Sequence, residues 1–383
     1  MLFAPKTKDK VILMVSVQSS IIRATLVRTG KGKLPLIFFN CSKSIKQRDA
    51  TDSNYLVKSA VNHIKDAMEE AAKEFHARRQ SEDQSYPKTI AQVHYVLSSP
   101  WIASYARVIG KKYDRPTAIT KKSIKELIGR EREKYLSKDA DNEEIAEEKI
   151  FDIRLNGYSI PQWDGKIANT LEIAFAASIV PKNVVERFRE VALHTLHTSS
   201  IYFHSSLLLH HIGVQHLLPN KDSYALVHIH GELTDVVIVE KHTCVFFGSF
   251  PVGINTVIRA IANSLGVSLE VADSYLTIYT SGKIESDSQK KVAALLNDIS
   301  EGWVAEYEKL LADSGYNDRL PATAMISSRI HEAFFATSYK NKYQSASIEP
   351  IASELLSQAV AFAPKAEQLR ILGLYAIALN IIA

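Results

Sequence analysis

Two stretches of this chain repeat one pattern, and the repeat limits the folds open to it more than any other feature. The first, "KVILMVSVQSSIIRATLVRTGKGKLPLIFFN" (10–40), reads as a strand at about 11–17, a bend at Gln18–Ser20, a strand at 21–28, a Gly/Lys turn and a strand at 34–40. A long amphipathic helix follows over 54–79, with Leu56, Ala60, Ile64, Ala67, Ala71 and Phe75 on one stripe. The second, "YALVHIHGELTDVVIVEKHTCVFFGSF" (224–250), places strands near 224–230, 233–240 and 243–250 and runs into helices from "GINTVIRAIANSLG" (253–266). A meander that feeds helices must bury its faces under them, so two of them predict a duplicated α/β unit.

The stretch between the repeats is of another kind. Residues 89–109 read as strands paired about Pro100, and Thr120 suits the N-cap of a helix over 120–136 whose apolar positions are Ile124, Leu127, Ile128, Tyr135 and Leu136. "KDADNEEIAEEK" (138–149) reads as an acidic surface link. Strands follow at 150–160 and 170–180, and Pro181 opens a helix to about His194, as proline at a first turn does. We therefore expect the first half to open over 1–86. An inserted strand–helix–strand–strand α+β domain fills 87–192, and the chain returns to the first half over 193–223. The second half spans 224–383, with a smaller helical subdomain at about 262–321.

A chain of 383 residues exceeds what one core organises, and 46% hydrophobic with 23% charged residues is globular composition. The formal charge of +4 is mild, and basic runs such as "GKKYDR" (110–115) read as solvated surface, so no nucleic-acid partner is expected. Cys41 and Cys244 stand far apart and form no CxxC, which suits a reducing, cytoplasmic setting. The apolar runs 11–17 and 371–383 are too short to cross a bilayer. No Walker A, GxGxxG, GxSxG or HExxH occurs.

The order of parts resembles the actin-like ATPase superfamily over nearly the whole chain. More narrowly it is similar to the branch holding the cell-division protein FtsA and the type IV pilus assembly protein PilM. "SIKELIGREREKYL" (123–136) resembles the PilM insert helix, and "AFAASIVPKNVVERFREVA" (174–192) the strand and helix that close the insert. "FPVGINTVIRAI" (250–261) and the closing "LRILGLYAIALNII" (369–382) are similar to family phrases as well.

The resemblance implies two Asp-containing β-turns that grip phosphates and hydrated magnesium. That chemistry needs glycine for close backbone approach, hydroxyls for phosphate and carboxylates for the metal. Here Ser16 takes the first Asp position and Gln18 the Gly position, while Ser19 and Ser20 keep hydroxyls and Arg23 keeps a basic residue. In the second turn His228 takes the Asp position and His230 the first Gly position. Gly231 survives, Glu232 replaces a small residue, and Thr234 and Asp235 persist. Leu276 stands where a family lysine would be, and the adenosine turn offers Ser327, Ser328 and Arg329 with no glycine. Four altered elements predict a pseudo-ATPase: no catalytic residue, no ATP or magnesium cofactor, no metal.

Eight of thirteen histidines lie between 194 and 230, and His228 and His230 share a spacing that metal sites use. No cysteine or carboxylate completes a tetrahedral set, so ordinary hydrogen-bonded histidines are expected. The resemblance implies a non-hydrolysing cytoplasmic scaffold at the inner face of the membrane. Such a scaffold recruits the cytoplasmic tail of a membrane protein into a pilus or secretion-type assembly, and the resemblance allows self-association as well. The alternative is an FtsA-like or polymerising actin-like ATPase with an atypical pocket. The tail is expected in a groove walled by 54–79, 89–109 and 120–136, near Lys111, Lys112, Arg115, Lys121 and Lys122.

Overall fold

A computed structural model describes residues 9–45, 53–81, 86–134, 142–281, 287–316, 319–364 and 366–382. The chain divides into two compact units. The first is Met1–Ser104, Val108–Asn220 and Ala352–Ala383; the second is Lys221–Ile351 with Tyr105–Arg107.

The first unit opens on the expected meander: β1 (Lys10–Val17), β2 (Ile21–Thr29) and β3 (Leu36–Ser44), antiparallel in succession. β1 is buried along nearly its whole length, which is why its sequence is continuously apolar rather than alternating. α1 (Ser53–Ser81) packs on β2 and β3, burying Ala60, Ile64, Ala67, Ala71 and Phe75, with Leu56 partly buried beside them. β4 (Ile90–Leu97) then pairs in parallel with β1. This corrects the expected hairpin about Pro100. Val93 to Leu97 are all buried, so β4 is a central strand of the main sheet, and the chain after Pro100 leaves for another sheet.

That sheet is the insert, made of β5 (Ala103–Ala118), α2 (Lys121–Glu133), β6 (Glu143–Leu155), the two-residue β7 (Tyr158–Ser159) and β8 (Ile167–Pro181). Its order is β5-β8-β6-β7. Thr120 caps α2 as expected: its Oγ1 accepts the Ser123 N–H at 3.2 Å, while Ser123 Oγ accepts the Thr120 N–H at 3.0 Å. Ile124 and Ile128 are buried; Tyr135 and Leu136 lie outside the described residues. The acidic link is a second correction. From Glu143 onward it is strand, paired with β8 from Glu143↔Pro181, because half-exposed glutamates decorate a strand whose neighbour supplies the pairing. Residues 138–141 of that link lie outside the described set.

α3 (Lys182–Leu196) starts at Pro181 and sends Val184, Val185 and Phe188 into the same core as α1. β9 (Ile201–Ser205) then pairs in parallel with β4, and α4 (Ser206–Leu217) follows.

The second unit repeats the plan. β10 (Tyr224–Ile229), β11 (Thr234–Glu240) and β12 (Thr243–Phe250) form its meander, followed by α5 (Ile254–Leu265), α6 (Leu269–Thr280) and α7 (Asp287–Asp313). β13 (Thr323–Ser328) pairs in parallel with β10, and α8 (Glu332–Lys342) and β14 (Ser347–Ile348) follow. Its core gathers Val227, Val236, Phe246, Val257, Ile261, Trp303 and Tyr307.

The chain ends with α9 (Ser353–Ala359), β15 (Ala361–Phe362) and α10 (Arg370–Ile382). These return to the first unit, which corrects the expected second half of 224–383. β15 pairs with β3, and α10 packs on α4, where a Cβ on Gly213 would stand 2.6 Å from the Leu374 carbonyl oxygen. The expected limits of the insert, 87 and 192, shift for a related reason. β4 belongs to the main sheet and α3 to the main core, so the insert proper is β5 to β8. The two large sheets read β15-β3-β2-β1-β4-β9 and β12-β11-β10-β13-β14, the same meander followed by parallel strands. The duplicated α/β fold with an inserted α+β sheet is therefore present.

Candidate functional site

The first turn joins β1 to β2. The Gln18 N–H donates to the Ile21 carbonyl at 3.0 Å, and register sets Ser16 opposite Arg23. Ser16, Gln18, Ser19 and Arg23 are buried, while Ser20 is half-buried with its carbonyl accepting the Ile45 N–H at 2.8 Å. The strand-end carbonyls face protein: Val17 O accepts the Ser98 N–H at 3.1 Å and Gln18 O accepts Trp101 Nε1–H at 3.2 Å. Among the described residues, Ser19 Oγ and Ser98 Oγ are buried with no hydrogen-bond partner.

The second turn, between β10 and β11, is built differently. The His230 N–H closes it on Leu233 O at 2.8 Å, and His228 faces Asp235 across the pair. His228 Nδ1 lies 2.8 Å from Ser327 Oγ on the neighbouring β13. His230 Nε2 lies 2.8 Å from Asp235 Oδ2, whose other oxygen accepts Ser249 Oγ–H at 2.6 Å. Thr234 Oγ1 donates to Val252 O at 2.7 Å and accepts Trp303 Nε1–H at 3.0 Å. Glu232 accepts two hydrogen bonds from Arg259, at 2.9 and 2.7 Å, and one from Asn255 at 2.7 Å.

The start of α5 is taken up as well. Its first N–H groups, on Ile254 and Asn255, donate to His230 O and Gly231 O at 3.0 and 2.7 Å. Helix-start amides are the groups that hold anions in phosphate sites, and here the turn's carbonyls occupy them. The approach is so close that a Cβ on Gly253 would stand 2.6 Å from each of three backbone atoms of the turn. Ser328 Oγ donates to Ile229 O at 3.3 Å, and Leu276 is fully buried in the core of this unit. Thus Ser327 and Ser328, expected in a separate adenosine turn, bond to His228 and Ile229 at the end of β10.

The histidines do not gather. His194, His197 and His216 are exposed, and His210 and His211 are buried in α4. The rings of His228 and His230 meet edge to face at 4.4 Å, each with a separate partner. Among the described residues no three His, Cys, Asp or Glu side chains converge as metal ligands. Burial pushes His211 down to about 3, so it stays neutral in the core. Burial raises both thiols, Cys41 to about 11, which removes thiolate chemistry near neutral pH.

One network escaped the sequence reading. His94 Nδ1 on β4 lies 3.0 Å from His204 Nε2 on β9, and His204 Nδ1 lies 3.4 Å from Glu147 Oε2 of the insert. Glu147 Oε1 also accepts the Ser205 N–H at 2.7 Å and Ser178 Oγ–H at 3.2 Å, pinning β6 to the end of β9. Burial, then His204 and Lys10, lowers His94 to about 3. No local pattern signals residues 110 positions apart. Beside this network a cleft of about 440 Å³ is lined by Glu144, Ile145, Tyr202, His204, Leu208 and Ile382, among others. This cleft is a different place from the groove expected between 54–79, 89–109 and 120–136. None of those segments lines the cleft, because α1 is engaged with the main sheet while β6 is the insert strand that meets β9.

These elements define the actin-like ATPase fold, a duplicated α/β unit with an inserted domain. Its form is PilM-like. A chain of the solved PilM-PilN type IV pilus biogenesis complex superposes with a TM-score of 0.63 at 14% identity, covering 98% of both chains. The ethanolamine utilization protein EutJ from Carboxydothermus hydrogenoformans matches at a TM-score of 0.42 and 12% identity, covering 99% of this chain and 91% of its own. A Bacteroides thetaiotaomicron protein with an actin-like ATPase fold matches at 0.37 and 11%, covering 98% of both. No protein-family model and no curated protein matches the chain. Among the described residues no helix is long and apolar enough to cross a membrane.

Proposed function

We propose that this chain is an actin-like adaptor that does not turn over nucleotide. It recruits the cytoplasmic segment of a membrane protein into a type IV pilus or secretion-type assembly, and so works at the inner face of the membrane. The PilM-PilN likeness supports the choice of assembly and partner. The observation that carries the reading is the closed second turn. Phosphate needs bare N–H groups and magnesium needs carboxylates with room for water. Here His230 and Ser249 engage Asp235, Arg259 and Asn255 engage Glu232, and the α5 amides face carbonyls. Ser16 and His228 at the carboxylate positions complete the misfit, so a magnesium nucleotide does not suit the residues present.

The captured segment lies in the cleft beside β9. As the last strand of its sheet, β9 can accept an extended peptide by strand addition, with Ile145, Leu208 and Ile382 receiving apolar side chains.

Hydrolysis tests the first half of the proposal. The purified chain with magnesium and ATP shows turnover no higher than background, and Ser16→Asp with His228→Asp does not restore it, because Gln18 and His230 remain. Magnesium-dependent turnover that vanishes on mutating either turn contradicts the proposal. Tyr202→Asp, at a side chain 43% exposed on the cleft wall, tests the second half. It should reduce co-purification of the membrane partner, and undiminished recovery removes the cleft.

A further inference from the structure

One end of the insert carries side chains that the adaptor role leaves without work. Tyr158 and Ile167 are 74% and 66% exposed, the highest values among the exposed large hydrophobics of the described residues. The sheet brings both to the same end. Leu155 of β6 is paired with Tyr158 on one side and Leu171 on the other. Asn156 Oδ1 accepts the N–H groups of Asn169 and Thr170 at 2.9 and 3.1 Å. β5 leaves the sheet there too, with the Ile119 N–H donating to Lys166 O at 2.8 Å. Half-buried Trp163 sits in the turn leading into β8.

Positive charge concentrates at the same end of the sheet, on β5, the edge opposite β7, and on α2 after it. Residues 111–122, "KKYDRPTAITKK", hold Lys111, Lys112, Arg115, Lys121 and Lys122 against Asp114, a net of +4 that equals the formal charge of the entire chain. The remainder of the chain is formally neutral, so this run is not the scattered surface charge its composition suggested. All five cations are exposed, and Lys125 and Lys166 extend the group. Guarding an open strand edge accounts for Lys111, Lys112 and Arg115 on β5. It does not account for Lys121 and Lys122, which occupy the first turn of α2, where the helix dipole disfavours cations; that turn holds no acidic residue of its own, and Asp164 Oδ1 accepts the Lys121 N–H at 3.3 Å. Nor does it account for Tyr158 and Ile167, which would make an edge stickier.

We infer that this end of the insert docks directly on an anionic lipid surface. Tyr158 and Ile167 enter the headgroup layer with Trp163 behind them, and the lysines hold the lipid phosphates. An acidic protein segment would match the charge, but it would leave two protruding apolar tips that a headgroup layer accepts without a shaped pocket. The contact needs no membrane-protein partner, so it stands or falls apart from the adaptor role.

The test is co-sedimentation of the full chain, alone, with phosphatidylcholine vesicles with and without phosphatidylglycerol. Binding is expected only to the anionic vesicles and should fall as salt rises. Each lysine or arginine near such a surface contributes roughly fivefold. The triple variant Lys111→Glu, Lys112→Glu, Lys121→Glu should therefore lose about a hundredfold or more. Tyr158→Ser with Ile167→Ser should lose several-fold while keeping the salt dependence. Both sets alter exposed side chains and should melt with the parent protein. Equal sedimentation with neutral vesicles, or a charge-reversed variant that still sediments like the parent, overturns the inference. So does capture of a polyglutamate peptide without vesicle binding, which would assign the patch to an acidic protein.

Discussion

The β1–β2 turn and the β10–β11 turn occupy the same place in two copies of one fold, yet their polar groups are satisfied in different ways. In the first turn Ser16, Gln18, Ser19 and Arg23 are packed in, and among the described residues two buried hydroxyls, Ser19 Oγ and Ser98 Oγ, have no hydrogen-bond partner. In the second turn ionisable groups abound, and each meets another group of the protein: His230 with Asp235, Glu232 with Arg259. A phosphate site needs uncommitted hydrogen-bonding capacity and charge together. One turn offers spare hydroxyls beside buried Arg23, and the other ties its carboxylates to protein groups, with His230 Nδ1 the buried atom left unbonded among the described residues of that turn. On the proposed reading, a ligand turn becomes structure by two routes within one chain.

Removing a member of the second network should have the largest effect. Asp235→Ala strands His230 and Ser249 in a site where Asp235 is 4% exposed, and should cost about 3 kcal/mol in chemical denaturation. A loss below about 0.5 kcal/mol would mean that the network is incidental and the comparison misdrawn. Acid is the next probe, and it reads the first unit. His94 and His211 are held neutral down to about 3, whereas unfolded histidine takes a proton near 6.5. Between those values the unfolded chain binds more protons, so stability falls as pH falls from about 6.5, on the order of 1 kcal/mol per pH unit for each group. His211→Leu should flatten the melting curve against pH, and an unchanged slope would relieve His211 of that role. Ser19→Ala should have the smallest effect: it removes a buried hydroxyl without a partner and should be neutral or stabilising by up to about 1 kcal/mol. A clear loss would show that the first turn is also cross-linked.

Much of the fold could be read from local pattern. The meanders, the α1 stripe, the Thr120 cap and the helix after Pro181 depend on near neighbours, and all stand where periodicity put them. Long-range pairing was less legible. β4 looks like half of a hairpin until β1 is known to pair with it, and the glutamates of 143–148 look like linker until β8 is. The closing segment was misassigned for the same reason, since only α4 and β3 reveal where α10 and β15 belong. Of the candidate site, the altered positions were visible in sequence. What the replacements bind was not: nothing in "HIHGE" foretells Ser249 or Ser327. The His94–His204–Glu147 network was invisible altogether, because its members come from three separated strands.

The central claim is that both turns have become structure, and a nucleotide titration followed by thermal melting tests it most directly. A ligand at a hundredfold excess over its dissociation constant stabilises the native state by about 2.7 kcal/mol, a shift of several degrees. The account predicts no shift with ATP and magnesium, and the same flat response after Ser16→Asp with His228→Asp. A saturable, magnesium-dependent rise in melting temperature for the unmodified chain would contradict it.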